Sequence, residues 1–223
     1  MSHIATAIHQ IKQTLPAGVT LVAVSKFHPI EKLSEAYDAG QRVFGESRAQ
    51  EVVPKSQTLT HDDIEWHFIG HLQPNKVKMI APFVTLIHSV DSLKLLKEIN
   101  KQGAKVDRKL HCLLEVKVAA EDSKHGLTPE GCLELLRESE WREMANISID
   151  GLMCMATNTD DKDRIRQDFA QAHALFKQIK QEFFADAEHF SIRSWGMSDD
   201  YEIAIEEGSN MIRVGSAIFG ERV

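Results

Sequence analysis

The sequence predicts a single (β/α)8 barrel of the TIM type, preceded by one extra N-terminal helix. Two observations carry the prediction. Short runs that are continuously apolar or alternate with period two give way regularly to runs with a 3.6-residue apolar period, as in successive βα units; the strand-like runs number eight. No Pro/Gly/Ser-rich linker, low-complexity tract or repeat interrupts the 223 residues, so 1–223 are read as one domain. Two domains, or a doubly wound open sheet, are the competing architectures, and eight regular units count against the open sheet.

The N-terminus, Met1 to Ala17, mixes Ile and Ala with His, Gln and Lys. It has neither a basic n-region nor a continuous apolar h-region, so it reads as an amphipathic helix. Strands are expected at Thr20–Ser25, Arg42–Gly45, Ile64–Gly70, Val84–Ser89, Leu110–Val118, Ile147–Met155, Phe190–Met197 and Met211–Phe219. Pro29 opens a helix with Ile30, Leu33 and Tyr37 on one face, and Gly40 closes it as the residue past its end. The longest helix runs from about Asp163 to Phe184, with Ile165, Phe169, Ala172, Phe176, Ile179 and Phe183 along one core-facing stripe. After Ser198, the run Ser198-Asp199-Asp200 offers N-cap oxygens and negative charge to a helix that stops at Gly208.

A formal net charge of −7 argues against general phosphate-backbone binding, so nucleic acid is not expected as a partner. No window has the continuous apolar length of a membrane span. Cys112, Cys132 and Cys154 are odd in number and form no CxxC pair, which suits reduced core thiols and a cytoplasmic location.

In such a barrel, function collects at the C-terminal ends of the strands, with phosphate sites after strands seven and eight. The first strand ends at Lys26, the seventh at Gly196-Met197-Ser198, and the eighth contains Arg213-Val214-Gly215-Ser216. Barrel closure makes the first and last strands neighbours. An amine beside an arginine and a small-residue turn is what a phosphorylated aldehyde requires: lysine for a Schiff base, backbone N–H groups for phosphate. Each residue also has a plainer reading. A lysine after an apolar strand is commonly a solvated boundary residue, and Arg213, costly inside Met211-Ile212-Arg213-Val214, could pair internally with Glu46. His67 and His71 lie too far apart on a strand to share a metal, and no paired Cys/His cluster is present, so no metal site is expected.

The runs Ala23-Val24-Ser25-Lys26, Phe44-Gly45-Glu46, Trp66-His67-Phe68-Ile69-Gly70-His71-Leu72-Gln73 with Asn75-Lys76, and His88-Ser89-Val90-Asp91 are followed by Ser123-Lys124 and Gly151-Leu152-Met153. Gly196-Met197-Ser198-Asp199-Asp200 and Arg213-Val214-Gly215-Ser216-Ala217-Ile218-Phe219-Gly220 complete the series. In this order and spacing the chain resembles the pyridoxal phosphate homeostasis protein family over nearly its whole length. The resemblance implies a barrel like the N-terminal domain of alanine racemase, with pyridoxal 5′-phosphate (PLP) held as a Schiff base on Lys26. It further implies Arg213 against the pyridine nitrogen and Ser198, Gly215 and Ser216 around the phosphate. The family usually has Asn-Tyr where this chain has Ser47-Arg48, Pro for His71, Ser for Pro74, and Met for Trp195.

An arginine facing the ring nitrogen keeps it unprotonated, which makes the ring a poor electron sink. A two-base racemase of the alanine type also needs an acid/base group opposite the lysine. By resemblance that group is a tyrosine of a second domain, whereas this chain has only Tyr37 and Tyr201, both in helix patterns, and stops at Val223. The expectation is therefore a non-catalytic PLP carrier or reservoir serving vitamin B6 homeostasis, monomeric, with PLP-dependent apoenzymes as transient recipients. The alternatives are a low-activity PLP-dependent amino-acid racemase, or a barrel binding another phosphate ester. Lys124 is read as a solvated loop lysine or a secondary phosphate contact.

Overall fold

The computed structural model describes residues 2–119 and 125–220. Eight parallel strands close into a ring in chain order: β1 (Thr20–Val24), β2 (Val43–Glu46), β3 (Glu65–Phe68), β4 (Leu86–Val90), β5 (Leu110–Lys117), β6 (Ile147–Met155), β7 (Ile192–Ser194) and β8 (Met211–Val214). The ring shuts by pairing β1 with β8 in the register Val22↔Arg213 and Ala23↔Val214. Helix α1 (His3–Thr14) leads, and α2 (Ile30–Asp38), α3 (Ala49–Thr58), α4 (Val77–Ile80), α5 (Leu93–Lys105), α6 (Pro129–Arg137), α7 (Lys162–Phe183) and α8 (Tyr201–Glu206) each cross between strands. The predicted barrel with its extra helix is thus present. Among the described residues, no helix is long and apolar enough to cross a membrane.

The period-two alternation of the strands divides the interior into two layers. Val22, Leu86, Leu113, Met153 and Met211, from five different strands, pack together inside the ring. The other strand face, including Leu21, Ala23, Phe44 and Ile212, packs against the helices in a second, larger core. To that core α7 contributes Ile165, Phe169, Ala172, Phe176 and Ile179, all buried as the stripe predicts, with Phe183 only partly covered. Cys112, Cys132 and Cys154 are free, buried thiols.

Local chemistry sets the ends. Ser2 Oγ accepts from Ala5 N and starts α1. Pro29 sits just before α2, and Gly40 follows its end with φ +85°. Asp161 caps α7 through Asp163 N and Arg164 N. On β6, Asp150 is an extra residue: Cys112 pairs with Ile149 but Leu113 pairs with Gly151, a bulge that lets Asp150 accept hydrogen bonds from His111 Nδ1 and Ser148 Oγ.

Most strand ends differ from the expectation by one or two residues, and three boundaries near the rim differ in ways that matter to it. The eighth strand ends at Val214 rather than Phe219, because Gly215 (φ −120°, ψ −74°) leaves the extended region and Ser216–Phe219 form a short helix, α9. The seventh strand is the three residues Ile192–Ser194 rather than Phe190–Met197. α8 begins at Tyr201 rather than directly after Ser198, and Asp200 turns its carboxylate back to accept from Met197 N at 2.5 Å.

Candidate functional site

The C-terminal rim over β1 and β8 gathers the residues singled out from the sequence. Val22 and Val24 alternate on β1 with the outward Leu21 and Ala23; two residues beyond Val24, in a turn, stands the half-buried Lys26. The next residue, Phe27, has φ +67°, uncommon for a side chain of this size. Two contacts fasten that turn: Phe27 N donates to Glu51 Oε2 at 3.0 Å, and the Arg48 guanidinium lies over the Phe27 ring.

Behind the turn, Glu46 is fully buried. Its Oε1 accepts from Ser25 Oγ and from Lys55 Nζ, both at 2.6 Å, and Lys55 also donates to the Ser25 carbonyl at 2.9 Å. Burial pushes the Glu46 carboxyl above its ordinary range, opposed by Lys55 and Ser25. The internal partner of Glu46 is therefore Lys55 on α3. Arg213 does not take that role, because Glu46 occupies the outward parity of β2 and Arg213 the inward parity of β8.

Arg213 is almost fully buried. Nη1 donates to the Ser194 carbonyl (2.6 Å) and to Ser194 Oγ (2.8 Å), and Nη2 donates to the Cys154 carbonyl (3.0 Å). Nε makes no hydrogen bond among the described residues. Burial lowers the guanidinium pKa, opposed by Cys154, Asp200 and Glu115, and an arginine still stays charged at neutral pH.

Ser198, Gly215 and Ser216 converge beside Lys26. Ser198 Oγ accepts from Gly215 N at 3.4 Å, and Ser216 Oγ lies 3.1 Å from it. A Cβ on Gly215 would come within 3.2 Å of the Val24 carbonyl oxygen, so a larger residue would crowd the end of β1 here. A cleft of ≈ 30 Å³ lies among Val24, Lys26, His28, Gly215, Ser216 and Gly220. A wider one, ≈ 530 Å³, opens beside it between Met155–Asp160 and Met197–Ile203. All five predicted site residues therefore share one rim. Ser47, Arg48 and His71 line a separate cleft, Trp195 is buried in the outer core, and Lys124 lies outside the described residues.

Four polar residues of the interior were assigned no role from the sequence: His67 and His88, which appear there only in motifs, and Glu115 and Ser194. They lie on inward positions, with His88, Glu115 and Ser194 each two residues past an apolar member of the inner layer or its neighbours. The available signal was the one that exposed Arg213, a polar residue inside an apolar strand. Glu115 is buried, and its Oε2 has no hydrogen-bond partner among the described residues. Desolvation, then the nearby Asp91, push its carboxyl up to about 7 against the pull of Arg213.

The folded Glu115 keeps a proton that the unfolded chain, titrating at 4.5, releases. Its contribution to stability is complete below pH 4.5 and disappears as pH rises through 7. Glu115→Gln is therefore expected to leave stability at pH 5 nearly unchanged and to raise it by about 2–3 kcal/mol at pH 8. Urea unfolding at the two pH values checks this; equal midpoints for variant and wild type at pH 8 would refute it.

Closed barrel, strand-end lysine and buried arginine define the class: a barrel of the alanine racemase N-terminal type, and residues 1–223 match the family described as alanine racemase, N-terminal domain. Among curated relatives, the pyridoxal phosphate homeostasis protein of Pasteurella multocida is 39% identical over 218 residues, covering 97% of this chain and 91% of its own. That of Aquifex aeolicus is 39% identical over 202 residues, covering 91% and 86%. The solved structure of PipY from Synechococcus elongatus with PLP bound superposes with a TM-score of 0.90 at 34% identity, covering 97% of this chain and all of that one. Alanine racemase of Clostridium difficile shares the fold at 15% identity and a TM-score of 0.79, over 98% of this chain and 56% of its own. The chain belongs to the pyridoxal phosphate homeostasis protein family.

Proposed function

We propose that this chain is a one-domain, monomeric, cytoplasmic PLP-binding protein that carries or stores the cofactor, limits the free aldehyde, and passes it to PLP-dependent apoenzymes without robust catalysis of its own. The observation that carries the reading is the meeting of Lys26, the buried Arg213 and the Ser198–Gly215–Ser216 turn on one rim. The residues fit the group. Among the described residues the hydrogen bonds of Arg213 are made by Nη1 and Nη2, which leaves Nε as a donor suited to an unprotonated ring nitrogen, and the cleft lined by Lys26, Gly215 and Ser216 sets small residues and a hydroxyl beside the amine, as a phosphate needs. When bound, the cofactor supplies an aldehyde that the Lys26 amine takes up as a Schiff base.

The residues around that chemistry bind and orient. Ser198 and Ser216 present hydroxyl groups, Gly215 and Ser216 present backbone N–H groups, and Lys55 and Glu46 fix the strand end that bears Lys26. Arg213 withholds a proton from the ring nitrogen, which disfavours carbanion chemistry. Neither tyrosine offers a base opposite Lys26: Tyr37 OH donates to Asp63 at 2.8 Å on the outer surface, and Tyr201 opens α8. Glu115, a carboxyl titrating near neutrality beside Arg213, is the observation that favours the alternative, a low-activity PLP-dependent amino-acid racemase.

Incubation with PLP, borohydride reduction and peptide mapping test the reading. A single phosphopyridoxyl group on Lys26, lost in Lys26→Ala, is expected. Labelling scattered over surface lysines, or none, overturns it. Lys26-dependent conversion of a single-enantiomer amino acid to its mirror image by the loaded protein would replace carrier by racemase.

A further inference from the structure

A line of polar side chains crosses the barrel interior beneath the rim. Arg213 Nη1 donates to Ser194 Oγ at 2.8 Å, Ser194 Oγ lies 3.0 Å from His88 Nδ1, and His88 Nε2 lies 3.0 Å from His67 Nδ1. Beyond it, His67 Nε2 is 3.7 Å from Glu65 Oε2, at the more exposed N-terminal end of β3. Ser194, His88 and His67 are all at most 3% exposed, and they come from β7, β4 and β3. We propose that Ser194, His88 and His67 are positioning residues, a one-directional hydrogen-bond chain that fixes the Arg213 guanidinium and thereby sets how tightly the rim holds an aromatic ring nitrogen. The proposal rests on the cofactor reading above.

The direction follows from the two ends of the chain. A guanidinium has only donors, so Ser194 Oγ accepts from Arg213, and the Glu65 carboxylate at the other end calls for a proton on His67 Nε2, so Ser194 sends its own proton to His88 Nδ1. His88 then carries its proton on Nε2 and donates it to His67 Nδ1. His67 is left with its proton on Nε2, facing the Glu65 carboxylate. Each member meets a complementary group, whereas the reverse order would turn a bare His67 Nε2 lone pair toward the Glu65 carboxylate.

This order requires neutral imidazoles, and burial holds both below the ordinary histidine range; His67 and Arg213 push His88 lower still. The charged groups facing the chain and its arginine are Glu65 on β3, Glu115 on β5, Asp200 before α8, and Arg213 itself. The same layer is otherwise filled by Val22, Leu86, Leu113, Met153 and Met211, where polar atoms are costly unless matched. A matched series that ends on the buried Arg213 orients that arginine.

Two measurements test it. Nitrogen NMR of the protein without added cofactor reads the tautomers directly: Nε2–H is expected on both His88 and His67, with His88 losing its single tautomer in Ser194→Ala. An Nδ1–H tautomer of His88 in the wild type overturns the chain. Titration with PLP, following absorbance across pH, reads the consequence. Ser194→Ala and His88→Leu are expected to bind about tenfold more weakly and to shift the pH midpoint of the bound chromophore. His88→Gln, whose amide can accept from Ser194 and donate to His67, is expected to stay within twofold of wild type. A folded His88→Leu with unchanged affinity and pH profile, or a His88→Gln as impaired as His88→Leu, overturns the proposal. Wild type that fails to bind PLP sinks the cofactor reading, while the tautomers still report on the chain.

Discussion

Gly151→Ala is expected to leave a chain that cannot complete its barrel. A Cβ at this position would lie 1.9 Å from the Ile192 carbonyl oxygen and 2.7 Å from its carbon, both backbone atoms of the strand that β6 pairs with. Neither can retreat without parting β6 from β7. Relief by rotating Gly151 is blocked because the residue follows the Asp150 bulge, whose hydrogen bonds from His111 and Ser148 lock the turn. Overpacking that reaches backbone exceeds ordinary side-chain crowding, and a loss of more than about 4 kcal/mol is expected. Gly40→Ala is the control: its φ is also positive, +85°, but an added Cβ meets nothing within 4 Å, so the cost is only the conformational one of about 1–2 kcal/mol. Near-UV circular dichroism and urea unfolding of the two variants decide the point, and a Gly151→Ala protein as stable as Gly40→Ala would contradict the clash.

Lys55→Met is expected to cost about 3–5 kcal/mol at pH 8, the usual effect of leaving a buried charge without its partner. Among the described residues Glu46 would keep only Ser25 Oγ, since its Oε2 already has no partner there. Burial raises the Glu46 pKa even with Lys55 present, and removing the cation raises it further. The variant's folded Glu46 therefore takes up a proton that the unfolded chain has lost, so its deficit shrinks as pH falls toward 5. The double variant Glu46→Gln with Lys55→Met should recover much of the loss. Equal deficits at pH 5 and pH 8 would show that packing of the lysine stem, rather than charge, is what is missed. Because Lys55 also holds the Ser25 carbonyl, the single variant should loosen the turn that bears Lys26, visible as slower borohydride-trapped labelling.

The barrel was legible because its signals are local. Eight apolar runs, the Gly40 stop and the α7 stripe each depend on residues a few positions apart, and all were found in place. Errors fell at Gly215 and Ser198, where an apolar run, Ala217-Ile218-Phe219, continues past the real strand end and a cap-rich triplet precedes the real helix start. Lys26, Arg213 and the Ser198–Gly215–Ser216 turn were legible because strand ends of such a barrel fall on one rim. The Glu46–Lys55 pair was not, because it requires the parity of β2 and the facing of α3 together. His67, His88 and Ser194 were missed for a related reason: their contacts span 21 and 106 positions, and only the closed ring brings those positions within 3 Å.

The β1–β8 seam has a temporal side. Lys26 is synthesised well before Arg213, and the Val22↔Arg213 register is what joins their strands. During synthesis, a ribosome-bound chain exposing only its first seven strands has the lysine but neither the arginine nor the Gly215 turn. The rim therefore comes into being only when the ring shuts through the β1–β8 pairing. Any molecule that grips both sides of the seam binds the finished barrel alone and adds its binding energy to keeping the seam closed. Occupancy of the rim is then also a proofreading mark that distinguishes a closed barrel from one whose eighth strand has not been added.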